Sequence, residues 1–393
     1  FMNVSQSTIT DNIGSGPTAN DGGGGVFNNG GTLNITDGTD ISSNEATGAS
    51  GSGGGILSTN GAVTIENSSV NDNDANRAGG GIELIDGSLD MRDSDLSDNR
   101  VTSVPNPGNG GGFHITGAAS TINFINTTVN NNIAASEGGG LWNMAGSTMN
   151  VDSGTTVTNN QALGDDMTNG GGGIFNNGGI LNVMNQTMVT DNIASGVAGS
   201  GGGIFSTAGP VTITDAVINN NEARRAGGGI EIIDGTLDVA DSELNGNEVV
   251  VSAMPGNGGG LHITGMTTIA TFTNTDVMNN IAALEGGGLW NQSGSTLNVD
   301  SSNVSNNEAQ GPAAHDGGGG IFNNGGILNL GPTSVVSNNL ASGTAGSGGG
   351  ILSTNGPLVF DNVMINMKVA RRAGGGIEII DGSLVLTNSE LND

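Results

Sequence analysis

The chain has 393 residues, of which 74 are glycine and none is cysteine or tyrosine, with 37 acidic residues against 8 lysines and arginines for a net charge of −29. So acidic a chain lacks the basic footprint that nucleic acid requires; the absence of cysteine removes disulfides, structural zinc and thiol catalysis; and no apolar run approaches the ~20 residues of a membrane-spanning helix. Glycine lies far above its usual ~7% yet lacks the third-position period of collagen, and the apolar residues are placed too regularly for disorder.

In chain order, residues 1–12 (FMNVSQSTITDN) read as the second half of a β-coil. From there a run of three or four glycines followed by an apolar residue recurs thirteen times, at Val26, Ile56, Ile82, Phe113, Leu141, Ile174, Ile204, Ile230, Leu261, Leu289, Ile321, Ile351 and Ile377. Each repeat predicts three short strands. The first follows the glycines, as in GGGGVFNN. The second alternates, as in Thr32-Leu33-Asn34-Ile35. The third reads aliphatic-x-x-Asn, as in Ile41-Ser42-Ser43-Asn44. Period-two alternation in pieces of about four residues, separated by Gly, Asn, Asp and Ser, means strands and turns rather than helices. The spacings are 30, 26, 31, 28 and 33 residues and then the set recurs, so five short repeats make one long repeat of 148 (Val26 to Ile174) or 147 residues (Ile174 to Ile321).

The predicted fold is all-β: a right-handed parallel β-helix, or β-solenoid, of about 13 coils of 26–33 residues with three short strands per coil. It is read as one continuous β-helix over 1–393, with long repeats at approximately 22–169, 170–316 and 317–393, the last partial. Neither end carries the polar capping coil that a free solenoid needs, so the chain is expected to be a window from a longer repetitive protein.

Aligned third strands stack one asparagine per coil: Asn12, Asn44, Asn73, Asn99, Asn132, Asn160, Asn192, Asn221, Asn247, Asn280, Asn307 and Asn339. An amide has two donors and two acceptor lone pairs, so such a column predicts a structural ladder. The thirteenth position is Lys368. A buried ammonium needs a partner, and solvent or a nearby carboxylate is the expected one.

The residue after each first-strand aliphatic should point outward, because strand side chains alternate. That column runs Phe27, Leu57, Glu83, His114, Trp142, Phe175, Phe205, Glu231, His262, Trp290, Phe322, Leu352, Glu378. Its aromatic and histidine members, Phe27, His114, Trp142, Phe175, Phe205, His262, Trp290 and Phe322, are the candidate binding residues, for another copy or for a glycan stacked on the rings; cover by loops is the structural alternative. Arg77, Arg224, Arg225, Arg371 and Arg372 precede the GGGIE blocks. They either pair with Glu83, Glu231 and Glu378 or make lateral contacts to an acidic neighbour. Calcium is the one cofactor considered, at Asp21, Asp165, Asp166 and Asp316, although the glycine-rich nonapeptide motif of calcium-binding β-rolls is absent. No other cofactor is expected.

Glycines followed by an aliphatic residue, with aliphatic-x-x-Asn downstream, resemble the repeats of polymorphic outer-membrane proteins and of autotransporter adhesins. The resemblance covers the whole chain, with glycine standing where those repeats carry alanine and Ile, Val or Leu where they carry Phe. It implies a structural or adhesive, self-associating rod or fibre on a bacterial cell surface or in the extracellular matrix, with its own copies or other surface proteins as partners. The alternative is a carbohydrate-binding β-helix; a polysaccharide lyase or hydrolase comes third. No catalytic residue is assigned, because His114 and His262 occupy equivalent places in the long repeat and only His315, beside Asp316, is unique. Nucleic-acid binding and membrane spanning are not expected of this segment.

Overall fold

Three consecutive glycines can follow a path that no other residue tolerates, and this path builds each coil. In the computed structural model Gly53 has φ +64°, in the left-handed region; a Cβ on Gly54 would lie 2.4 Å from backbone oxygens of Asp74 and Gly80; and one on Gly55 would lie 3.0 Å from the Asn73 amide. The glycines thus let successive coils approach until the third glycine rests on the ladder asparagine. Residues 1–101, 103, 107–250, 255–366 and 368–392 are described.

All named regular elements are β-strands, and the pairing within each sheet is parallel, as in Ile56–Glu66 with Ile82–Arg92. The chain divides into two units, Phe1–Gly199 and Ser200–Asp393. Each is a parallel β-solenoid, and together they make about 13 turns. In the first unit the register carries Ile82 onto Phe113 and Phe113 onto Leu141. In the second it carries Ile230 onto Leu261, Leu261 onto Leu289 and Leu289 onto Ile321. The core is a stack of like positions, such as Leu33, Val63, Leu89, Ile122, Met149 and Leu181, all essentially inaccessible to water.

Beyond the three expected strands, each coil has a fourth of two residues just after the ladder asparagine, as at Glu45–Ala46 and Asp74–Ala75. Its second residue, alanine at Ala46 and Ala75 and valine at Val101 and Val249, faces inward while the residue before it is the more exposed. The corner between third and fourth strands is made by Ser43, Asp72, Asp98, Asn131, Asn159 and Asp191, each with φ between 53° and 58°. Asn and Asp tolerate this left-handed geometry best among non-glycine residues.

The asparagine ladder forms as expected. Asn73 illustrates its rule: the backbone N–H and Nδ2 both donate to Asn99 Oδ1, at 3.1 and 2.9 Å, and Nδ2 also donates to Ile41 O at 3.0 Å. In turn Asn73 Oδ1 accepts from Asn44 Nδ2 and the Asn44 N–H. The same pattern joins Asn99, Asn132 and Asn160 in the first unit, and Asn247, Asn280, Asn307 and Asn339 in the second. The thirteenth ladder place holds Lys368. Half-buried, it donates Nζ–H to the carbonyls of Ile365 at 2.7 Å and Asn392 at 2.5 Å. An ammonium has no acceptor to offer Asn339, so the amide chain ends there.

Candidate functional site

The column after the first core aliphatic gathers the unusual chemistry of both units, and it lies inside. In the first unit Glu83 Oε2 is 2.8 Å from His114 Nδ1, Oε1 accepts the Thr116 hydroxyl, and Arg77 Nη1 lies 3.6 Å from Oε1 while donating to Ser52 Oγ at 2.9 Å. The His114 ring stacks on Trp142 at 4.3 Å, and Trp142 lies parallel to Phe175 at 6.2 Å. The indole Nε1–H donates to Glu137 Oε2 at 3.0 Å; Asn109 donates to the same oxygen at 2.9 Å, and Asn169 to Oε1 at 2.9 Å.

The second unit rebuilds this arrangement. Glu231 Oε2 is 2.7 Å from His262 Nδ1, Thr264 donates to Oε1, and Arg225 Nη1 lies 3.7 Å from Oε1. His262 stacks on Trp290 at 4.3 Å, Trp290 lies parallel to Phe322 at 6.1 Å, and Trp290 packs with Phe322 and Leu352. Trp290 Nε1 and Asn257 Nδ2 each donate to Glu285 Oε2 at 3.0 Å. Beside the stacked rings the same two buried acceptor-capable atoms have no hydrogen-bond partner in each unit: His114 Nε2 with Asn109 Oδ1, and His262 Nε2 with Asn257 Oδ1.

Burial pushes the Glu137 carboxyl above its ordinary range, opposed by the hydrogen bonds from Trp142 and Asn169. Burial likewise pushes Glu285 up to about 7; the charge of Asp316 adds to the rise, and the hydrogen bonds from Trp290 and Asn257 resist it.

The outward placement expected for this column is therefore corrected. Trp142 and Trp290 are 5% and 4% exposed, His114 and His262 are 2% exposed, and Phe175, Phe205 and Phe322 are as deeply buried. Glu83 and Glu231, expected outside with Ile82 and Ile230 inside, are fully buried, as the isoleucines are. Phe27 alone among the candidate aromatics is open, at 46%, and Glu378 is half-buried. The reason is that in the interior coils the first strand has no solvent face: the segment entering the glycine run lies over it, placing Asn109, Glu137 and Asn169 against the rings. Parallel strands covered on both faces lose the alternation that marks a solvated sheet. Each indole also has ring neighbours on both sides, which leaves no free face for a stacked sugar.

The arginines divide. Arg77, Arg225 and Arg372 turn towards Glu83, Glu231 and Glu378. Arg224 and Arg371 are exposed. The four candidate calcium aspartates serve turns or lie open: Asp21 accepts from Thr18 Oγ1 at 2.6 Å, Asp165 from the Val197 N–H at 2.8 Å and Asp316 from the Ala313 N–H at 2.7 Å, while Asp166 is exposed. Among the described residues no group of three or more His, Cys, Asp or Glu side chains is gathered to hold a metal ion.

Asp165 and Asp166 line a groove of about 1060 Å³ in the first unit, together with Asn109, Glu137, Trp142 and Leu163. Glu137, Glu285, Asn109 and Asn257 escaped the sequence reading. Their signal was present in the shared string EGGGLW at 137–142 and 285–290, five residues from acid to indole in both copies.

No protein-family model matches the chain. No curated protein matches it either. The likeness to polymorphic outer-membrane and autotransporter repeats thus remains a likeness of repeat pattern.

Proposed function

We propose that the chain is a structural and adhesive β-solenoid displayed outside a bacterial cell, on its surface or in its matrix, where copies associate with one another. The observation that supports this most is the way each coil is tied to the next through buried amides, as in the continuous run from Asn44 to Asn160. Stiffness along a column is what a spacer requires, and this device needs neither disulfide nor metal. Among the described residues no helix is long and apolar enough to cross a membrane.

The aromatic column is covered apart from Phe27, so it offers no repeating contact for self-association. Self-association is assigned instead to the exposed Arg224 and Arg371, which occupy equivalent places in successive long repeats of a strongly acidic chain. Their shared period suits a contact that recurs along a partner of the same kind, and many weak contacts in register add by avidity. The test is light scattering and negative-stain microscopy of the protein and of Arg224→Glu with Arg371→Glu. Bundles or fibres that dissolve in the double variant are expected; isolated particles in both would defeat the self-association.

A further inference from the structure

We propose that the groove of the first unit binds an alkylammonium ligand, a cation carrying N–H donors on an apolar stem, such as an aliphatic polyamine or the side chains of a lysine-rich peptide. The groove, of about 1060 Å³, is large enough for a chain of several such groups. Its polar lining is rich in acceptors: the carboxylates of Asp165, Asp166 and Glu137 all line it. The one basic residue of the lining, Arg100, is already engaged by Asp74, at 3.1 and 3.2 Å.

A second observation is independent of this acidity. Asn109 also lines the groove and is 3% exposed; its Nδ2 donates to Glu137, and its Oδ1 has no partner. A buried carbonyl oxygen without a donor is a costly feature, and an N–H-bearing ligand is the chemistry that relieves it. Val101, Pro107, Ile133 and Leu163 supply an apolar wall along which methylene groups can lie. A neutral sugar is a poorer match, because the Trp142 ring has His114 on one side and Phe175 on the other.

The second unit serves as an internal contrast. At the equivalent places it carries Glu248 for Arg100, Gln310 for Leu163, and Pro312-Ala313 for Asp165-Asp166. The acidic pair is therefore a property of the first unit.

Trp142 and Trp290 are the only tryptophans, so each unit has its own fluorophore. In the full chain carrying Trp290→Phe, Trp142 emission is followed on titration with spermidine and with a tetralysine peptide. Calorimetry of the unsubstituted chain runs in parallel, in case the variant folds poorly. The expected result is a saturable change with either probe, the tighter one identifying the source of the cation. The half-saturation concentration should rise with salt, and affinity should fall at least tenfold in Asp165→Asn with Asp166→Asn. Three results would overturn the proposal: no saturable signal or heat; equal binding by the double variant, which would mean diffuse attraction to a polyanion; or an equal response to tetramethylammonium, which has no N–H, or to calcium.

Discussion

An asparagine at the ladder corner uses every hydrogen-bonding position of its amide. Asn132 Oδ1 accepts from the Asn99 N–H and Nδ2, while its own Nδ2 donates to Leu96 O and Asn160 Oδ1. Asn132→Leu should leave those neighbours unpaired at about 1–3 kcal/mol each. Hydrogen exchange should quicken in the coils of Asn99 and Asn160 and stay unchanged three coils away. Glu285 gives the residue scale its pH dependence. Its folded pKa, about 7, lies above the ordinary 4.5, so the folded state holds the proton more tightly. The stability it contributes is complete below about pH 4.5 and is lost as pH rises through 7, on the order of 3 kcal/mol in all. Denaturation midpoints should fall across that window, and Glu285→Gln, which stays neutral, should flatten the fall.

Most elements in this fold are too short to stand alone; a strand of two to five residues is stable because like strands lie beside it. Stacking like on like also stacks charge. On the fourth strand Asp74 meets Arg100, and the pair hydrogen-bonds. Their counterparts in the second unit are Glu222 and Glu248, two acids in register. Burial raises the Glu248 carboxyl, and the adjacent Glu222 charge raises it further. Glu248→Arg should convert repulsion into a cross-strand ion pair and stabilise the second unit by about 0.5–1 kcal/mol. A lowered urea midpoint would contradict this. The hydroxyl corner works differently: the Thr127 N–H donates to Thr155 Oγ1 at 3.2 Å, and that hydroxyl bonds Phe124 O at 3.1 Å. A Ser/Thr column therefore closes the turn between second and third strands much as the asparagines close the next one.

At the scale of the whole molecule, 37 acids against 8 basic residues dominate. Buried ion pairs engage Arg77 and Arg225 and do little for the surface. Self-repulsion of a net charge of −29 favours expansion, and salt screens it within a Debye length of ~10 Å at 0.1 M. Thermal midpoints should therefore rise as sodium chloride increases from about 10 mM to 0.3 M, more than for a protein of balanced charge. A flat response would mean that the carboxylates are already neutralised, for example by bound cations.

The sequence by itself determined the coil. Glycine runs at a recurring spacing, two-residue alternation and one asparagine per repeat lead directly to parallel strands and to a ladder, because these depend on local periodicity and on what an amide can bond. Which face meets water was decided only by the tertiary structure. Alternation says that Glu83 and Ile82 point to opposite sides of a strand, but not that both sides are covered. That cover comes from residues of neighbouring coils, such as Asn109 and Asn169, which converge on Glu137 from 28 and 32 residues away. The same long-range packing turns Arg225 inward and leaves Arg224 exposed, although they are adjacent in the chain. Burial is a property of what lies across the gap, and periodicity along one strand carries no record of it.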